Sequence, residues 1–547
     1  MRLTFCIAAL MLTLFPPIAS SAEEQAEQDK GVYEDYHEAT SKLKLLEING
    51  YLRLRTDLFH NLSLHNNSGF YEPITEVATQ TDQEGQVSRP RARSAGTLAG
   101  ASLRFRLEPT INVSEGVRIL SQIDILDNLT MGSTPDTYGT STPSALSETQ
   151  LPPSDGVNAL KDSIRVKRVW GEVLTPLGQL RFGRMPLHFG MGMLYNDGNC
   201  LDCDQGDTVD RVSFVVKVAG YYIIPSWDFA AEGPSSDSRG TWHSHPIDLD
   251  QLDDVNQYGL VLMKKDSNRD IKEALDNNGW ILNYGLYTVY RQQSLSTDIL
   301  SNPVDDPYSI QARDMVQRNY QAWTWDLWGL FIWREFKLET ELAVIWGNMD
   351  ARGITGDLDV DPDSLKGINM LQVGFVGRGS YSMLSDKLHL SLEVGYASGD
   401  TDEGFGAKDP MSQVKEDKNL NNFRFSPDFH VDRILWREII GRVTDALYIK
   451  PRVSYTFAPG LGASLDAVYS LCEKANSSPG DNFNLGLELD ASLTYTSEQG
   501  FFASLTYGIF FPFDGFKRVQ ESVQEKIDWS SDPGIAHTVQ GRLGIVF

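Results

Sequence analysis

Nothing in this chain approaches the run of about 20 apolar residues that a membrane-crossing helix needs. The sequence therefore excludes a helical membrane domain. Cations are also scarce, with 48 Lys and Arg against 74 Asp and Glu and a formal charge of −26. Such a balance argues against nucleic acid as a partner, because that binding rests on neutralising phosphates. Cysteine is rare, at four residues in 547. Three lie beyond the N-terminal segment, Cys200, Cys203 and Cys472, too few for a disulfide scaffold. Motifs that carry known chemistry are missing as well: no GxSxG elbow, no HExxH and no P-loop. We expect no catalytic residues, no enzyme activity and no cofactor.

What is present begins with an export signal. Arg2 forms the n-region, Thr4–Phe15 is an apolar h-region and Ser20-Ser21-Ala22 is a small-residue cleavage site. Cleavage removes Arg2 and takes the charge from −26 to −27. Residues 1–22 are read as the signal peptide and 23–47 as a polar, weakly helical periplasmic lead-in. Residues 48–547 carry a different pattern, in which apolar and polar residues alternate with period two. Leu52, Leu54 and Leu58 alternate with Arg53, Arg55 and Asp57. Ala101, Leu103, Phe105 and Leu107 alternate with Ser102, Arg104, Arg106 and Glu108. Successive side chains of a strand point to opposite faces, so this is strand and not helix.

The spacing predicts about 18 such strands, joined alternately by tight turns and long polar loops. Tight turns fall at Pro109–Gly116, Thr175–Gly178, near Gly220, Arg334–Lys337, Leu384–Asp386, Ala458–Leu461 and Ser497–Gly500, with a somewhat longer polar link before residue 279. Long loops span approximately 63–97, 127–161, 194–208, 232–255, 292–319, 349–366, 399–442, 473–482 and 513–535. That parity predicts an all-β fold, a closed antiparallel transmembrane barrel with short turns on the periplasmic side. Trp323, Trp325, Leu327, Phe331 and Trp333 share one face, as expected of a lipid-facing strand with aromatic ends.

Val539, Leu543, Ile545 and the terminal Phe547 alternate, with Arg542 where a glycine is usual. This end resembles the assembly signal of Gram-negative outer-membrane barrels. Trp170–Val173, the 175–178 turn and Leu180–Arg184 are similar to a porin-type hairpin. Glu108–Glu115 with Gln122–Asp124 resembles a family of uncharacterised deltaproteobacterial barrel proteins. The resemblance implies a cell outer-membrane location, outer-membrane lipid and the barrel assembly machinery as partners, and a channel-like architecture passing small hydrophilic solutes. It brings no established substrate, and the oligomeric state is left open.

Arg53, Arg55, Arg104, Arg106, Arg118, Arg165, Lys167 and Arg181 all fall on polar-face positions of the first five strands. Asp57, Glu108, Asp124 and Glu172 are interleaved with them. These are the expected pore-lining residues. Clustered cations on one wall would attract anions, and full pairing with the interleaved acids would cancel that preference. Cys200-Leu-Asp-Cys203 is read as a short-loop disulfide at the cell surface. Asp202, Asp204, Asp207 and Asp210 around it could ligate calcium, although their spacing is not that of an EF-hand. His243 and His245 with Asp248 and Asp250 form a candidate metal cluster that is more simply read as solvated loop. The acidic loops, including Asp253, Asp254, Asp357, Asp359, Asp361 and Asp363, are read mainly as solvated surface. The 399–442 loop contains an apolar pattern near 3.6 over Val431–Val443 and is expected to fold inward. Besides a passive channel, the sequence leaves open a surface-binding barrel working through its acidic loops, and a membrane-embedded enzyme.

Overall fold

The computed structural model describes residues 44–64, 96–153, 156–159, 162–233, 236–242, 245–248, 250–297, 315–351, 366–401, 405, 419–520 and 529–547. The signal peptide, nearly all of the lead-in, His243 and residues 357–363 lie outside them. The side chain of His245 is outside the description too.

Eighteen antiparallel strands close on themselves. In chain order they are β1 (Leu46–His60), β2 (Thr97–Ser114), β3 (Val117–Thr130), β4 (Ile164–Thr175), β5 (Gly178–Pro186) and β6 (Thr208–Val218). There follow β7 (Tyr221–Ala231), β8 (Val255–Lys264), β9 (Trp280–Thr297), β10 (Met315–Trp333), β11 (Phe336–Ala351) and β12 (Lys366–Met383). The last six are β13 (Leu388–Ala397), β14 (Ala446–Ala458), β15 (Leu461–Leu471), β16 (Asn484–Thr496), β17 (Phe501–Pro512) and β18 (Ala536–Val546). Each pairs with the next, and β1 pairs with both β2 and β18, so the main sheet has no free edge. Gly50 and Phe547 exchange two backbone hydrogen bonds of 3.0 Å beside this seam.

The expected strand count and the alternation of short and long connections both hold. Three boundaries differ. The first strand starts at Leu46 and takes in the end of the expected lead-in. The expected 109–116 turn is only Glu115-Gly116; Pro109 stays in β2 opposite Ile48, where the β2–β3 ladder skips from Leu107↔Ile123 to Thr110↔Leu120 and asks nothing of the missing N–H. The fifth strand, expected through residue 193, stops at Pro186, after which the chain turns inward. The link between β8 and β9 holds a nine-residue helix, α1 (Asn268–Asp276), with a capping box between Ser267 and Asp270.

The distribution of apolar surface is inverted relative to a water-soluble domain. Leu52, Phe182, Trp227, Leu262, Trp323, Trp325, Leu327, Trp346, Leu392, Leu465, Leu505 and Leu543 are exposed on the outer face. Arg53, Arg104, Arg106, Asp124, Glu172, Asp228, Glu341 and Glu488 are buried on the inner one. The apolar core lies inside the barrel. Phe405, Phe423, Phe425, Val431, Ile434, Leu435, Trp436 and Ile439 from the 398–445 connection pack there against wall residues such as Ala343, Val376, Tyr448 and Phe510. Gly374 makes room for this segment, since a Cβ there would collide with the Phe423 ring. Leu187 and Phe189, with the partly buried Met191 and Tyr195, form a second cluster with Val261, Met263, Tyr287 and Trp328.

A charge on the outer face tests this orientation. Leu327→Arg, at the middle of the β10 stripe, is expected to destabilise the lipid-reconstituted protein by about 2–4 kcal/mol, the cost of arginine near the bilayer midplane. Urea unfolding from liposomes measures it; an unchanged midpoint would contradict a lipid-facing Leu327.

Candidate functional site

The site is the barrel interior, where two connections, 187–207 and 398–445, meet the basic strands β1–β5. The first connection can enter because Pro186 ends its strand and because Gly190 and Gly192 adopt φ of +62° and +77°. Such left-handed turns suit glycine and gather backbone N–H groups into a concave nest. Glu341, from β11, occupies the nest: it accepts from the N–H of Met191, from that of Met193 at 3.4 Å and from that of Leu194 at 3.2 Å. The same device recurs twice. Asp428 accepts from the N–H groups of Asp204 (2.9 Å), Gln205 (3.1 Å) and Gly206 (2.6 Å), tying the two connections together. Glu488, on β16, accepts from Arg433, Ile434 and Leu435 at 2.8–3.0 Å. These N–H groups lie at the start of a short π-helical turn, Leu435–Ile439.

The basic residues predicted from sequence fall together on the inner face of β1–β5. Arg53 donates to the carbonyls of Leu201 (2.7 Å) and Cys203 (3.3 Å) and to Asp204 (3.2 Å). Arg104 donates to the Cys203 carbonyl at 2.8 Å and to Asp127. Arg55 pairs with Asp204 at 2.5 Å. Arg106 forms a fork with Asp124 at 2.6 and 2.9 Å. Arg118 and Arg181 share Glu172 at 2.7 and 3.4 Å. Lys167 reaches Asp124 at 3.8 Å, and Arg165 reaches Asp127 at 3.5 Å. Asp57 takes Arg542 at 2.8 Å, and Glu108 accepts from Gln122 at 2.6 Å. Arg165 at 47% and Arg118 at 35% remain the most open of the eight cations.

Cys200 and Cys203 form a disulfide. Its loop lies inside the barrel, against Arg53 and Arg104, and not at the cell surface as expected from its polarity. The acids around it do not gather about a common point. Asp202 binds Arg437 (2.5 Å), Arg542 (2.7 Å) and Arg433 (3.0 Å). Asp204 takes Arg55 and Arg53, Asp207 accepts from the Asn196 N–H at 2.7 Å, and Asp210 pairs with Arg184 on the outer face. The calcium reading of these four is therefore replaced by ion pairing of Asp202, Asp204 and Asp210 and by a backbone hydrogen bond to Asp207. Arg542, the departure from the usual C-terminal pattern, holds Asp57 and Asp202 at once. Sequence reasoning missed Arg168, Asp127, Asp428, Arg433 and Arg437. Arg168 stands beside the β3–β4 bulge, which puts it out of the simple alternation; the others lie at a strand end or in connections where no periodicity points.

Neighbouring arginines hold Asp202 and Asp204 below the usual carboxylate range, against the opposing effect of burial. Burial raises Asp432 to about 6, although the N–H groups of Trp436 and Arg437 pull the other way.

The solved structures to which this chain is similar include porins, at low identity. No family model matches the chain, and no curated protein matches it. OccK8 (OprE) of Pseudomonas aeruginosa is 10% identical, with a TM-score of 0.43 over 92% of this chain and 98% of that one. A BenF-like porin from Pseudomonas fluorescens is 12% identical, with a TM-score of 0.44 over 92% and 98%. OccAB3 of Acinetobacter baumannii gives 12% and 0.44 over 92% and 99%.

Two outcomes follow from the tethers. Asp202→Asn leaves Arg433, Arg437 and Arg542 short of a counter-charge and is expected to cost about 3–5 kcal/mol, as for one-sided loss of a buried pair; the shift in urea midpoint at neutral pH checks it. The pH dependence has two signs. Asp202 and Asp204, lowered on folding, stabilise above the ordinary carboxylate range, and that contribution is lost as pH falls below about 4. Asp432, raised on folding, stabilises below about pH 4, and its contribution is lost as pH climbs through about 6. Relative to wild type, Asp432→Asn should therefore gain in thermal midpoint between pH 4.5 and pH 8; a constant difference across that range would refute the assignment.

Proposed function

We propose that this chain is a porin-like channel of the outer membrane, passing small hydrophilic solutes by diffusion. The observation that carries this reading is the closed 18-stranded barrel with its apolar band outside and its charged wall inside, narrowed by two inward connections. Only a sheet without edges satisfies its backbone in lipid, and charged groups lining a lumen set which solutes enter. Arg53, Arg55, Asp57, Arg104, Arg106, Glu108, Arg118, Asp124, Arg165, Lys167 and Arg181 are the proposed pore-lining set. Most of these charges are paired, so any anion preference is weak and rests on the more open Arg118 and Arg165. The proposed partners are outer-membrane lipid, the solutes and the barrel assembly machinery, which would read Phe547.

Planar bilayers test this reading. The wild type is expected to give steady conductance with a reversal potential slightly on the anion side in a salt gradient. Arg118→Ala with Arg165→Ala should shift that potential toward cations by a few millivolts, and an Asp428→Ala variant should show larger current fluctuations. Absence of conductance, with loop-dependent binding to cells, would favour the surface-binding reading instead.

A further inference from the structure

The wall away from the arginine-rich strands carries a buried carboxylate that nothing balances. Asp326, on β10, has no exposed surface, and neither of its carboxylate oxygens has a hydrogen-bond partner. It lies opposite Tyr287 on β9 and Ala343 on β11. Glu341 stands two residues before Ala343 on the same inner face, a diagonal neighbour about 7–8 Å away between backbones. Glu341 is equally buried. Three N–H groups of the 190–194 nest bond to the two carboxylate oxygens of Glu341.

Three other buried carboxylates of the wall each have a guanidinium beside them: Arg106 for Asp124, Arg211 for Asp228 and Arg378 for Glu393, at 2.6 Å. Among the described residues, neither Asp326 nor Glu341 forms an ion pair with Lys, Arg or His. An isolated buried charge is too costly to persist. Two adjacent carboxylates, one of them with both oxygens bare, ask for positive charge from outside the protein.

We propose that Asp326 and Glu341 hold a small divalent cation beneath Gly190–Leu194. Calcium fits the chemistry: a hard ion, all-oxygen ligands and two negative charges to match. Among the described residues no group of three or more acidic, histidine or cysteine side chains could hold a metal. The protein thus supplies two carboxylates, and the ion keeps water or neutral oxygens for the rest; Thr324 shares the face, two residues before Asp326. The ion would pin the 187–207 connection to the wall, because the carboxylate that holds it also fills the nest.

Terbium is a suitable probe, since Trp328 lies two residues from Asp326 on the same face and can sensitise its emission. Refolded, metal-free wild type in detergent is expected to give saturable terbium emission under tryptophan excitation, displaced by calcium. Asp326→Asn should lose the displaceable emission at least tenfold, so ions on the acidic outer loops do not mimic the result. The thermal midpoint at neutral pH should rise with calcium in the wild type and not in the variant. Equal terbium emission from the two proteins overturns the proposal. So does a wild-type midpoint that is the same in chelator and in calcium, an outcome that assigns a proton to the pair and does not depend on the variant folding.

Discussion

Everything in this molecule depends on the seam between β1 and β18. Ten successive residue pairs, from Tyr51↔Val546 to His60↔His537, turn an eighteen-stranded ribbon into a tube. In lipid an unpaired N–H or C=O costs several kcal/mol, so an open edge at that place would be untenable. Closure also fixes which residues face which solvent. Once the ends meet, period-two alternation sends one half of every strand to the hydrocarbon and the other half inward. The mean hydropathy near that of a soluble protein and the inverted burial both follow from that one condition.

An interior this charged could not be filled by apolar packing alone. The chain fills it with its own connections, and carboxylates hold them there. Glu341, Glu488 and Asp428 each satisfy three backbone N–H groups of a turn, while Asp202 and Asp204 engage arginines from β1, β2 and β18. Charge-assisted bonds of this kind are about twice as strong as neutral ones. Arg118 and Arg165 keep the largest exposure of the eight predicted cations beside these tethers. The disulfide between Cys200 and Cys203 belongs to this arrangement, since the Cys203 carbonyl accepts from both Arg53 and Arg104.

Much of the barrel was legible because strands in lipid obey one strict rule. Leu103, Phe105 and Leu107 could not share a face with Arg104 and Arg106, and the tight turns, Arg334–Lys337 excepted, advertised themselves through Gly, Pro or Asp. Pro109 misled, because a proline reads as a turn unless its position in the ladder is known. The 187–207 connection misled for a deeper reason. Leu187, Phe189, Met191 and Met193 alternate as a strand would, yet the first three pack against residues as far off in sequence as β7 to β10, and Met193 joins the cluster formed by the 398–445 connection. Its polar second half reads as surface loop, because sequence shows acids and not the arginines waiting for them. The inward course of 398–445 was legible from Ile434, Leu435 and Ile439, apolar residues that needed burial. The pairing of Asp326 with Glu341 was not, since only register brings them together.

The central claim is that lipid sees the aromatic stripe and the interior does not. Brominated lipids quench tryptophan only by contact with the chain region that carries the bromine. In reconstituted protein, strong quenching of the total emission is predicted from Trp323, Trp325, Trp333 and Trp346, and removing the interior Trp436 by Trp436→Phe should leave the quenched component intact. Emission indifferent to brominated lipid, from protein that stays monodisperse in buffer without detergent, would contradict the account.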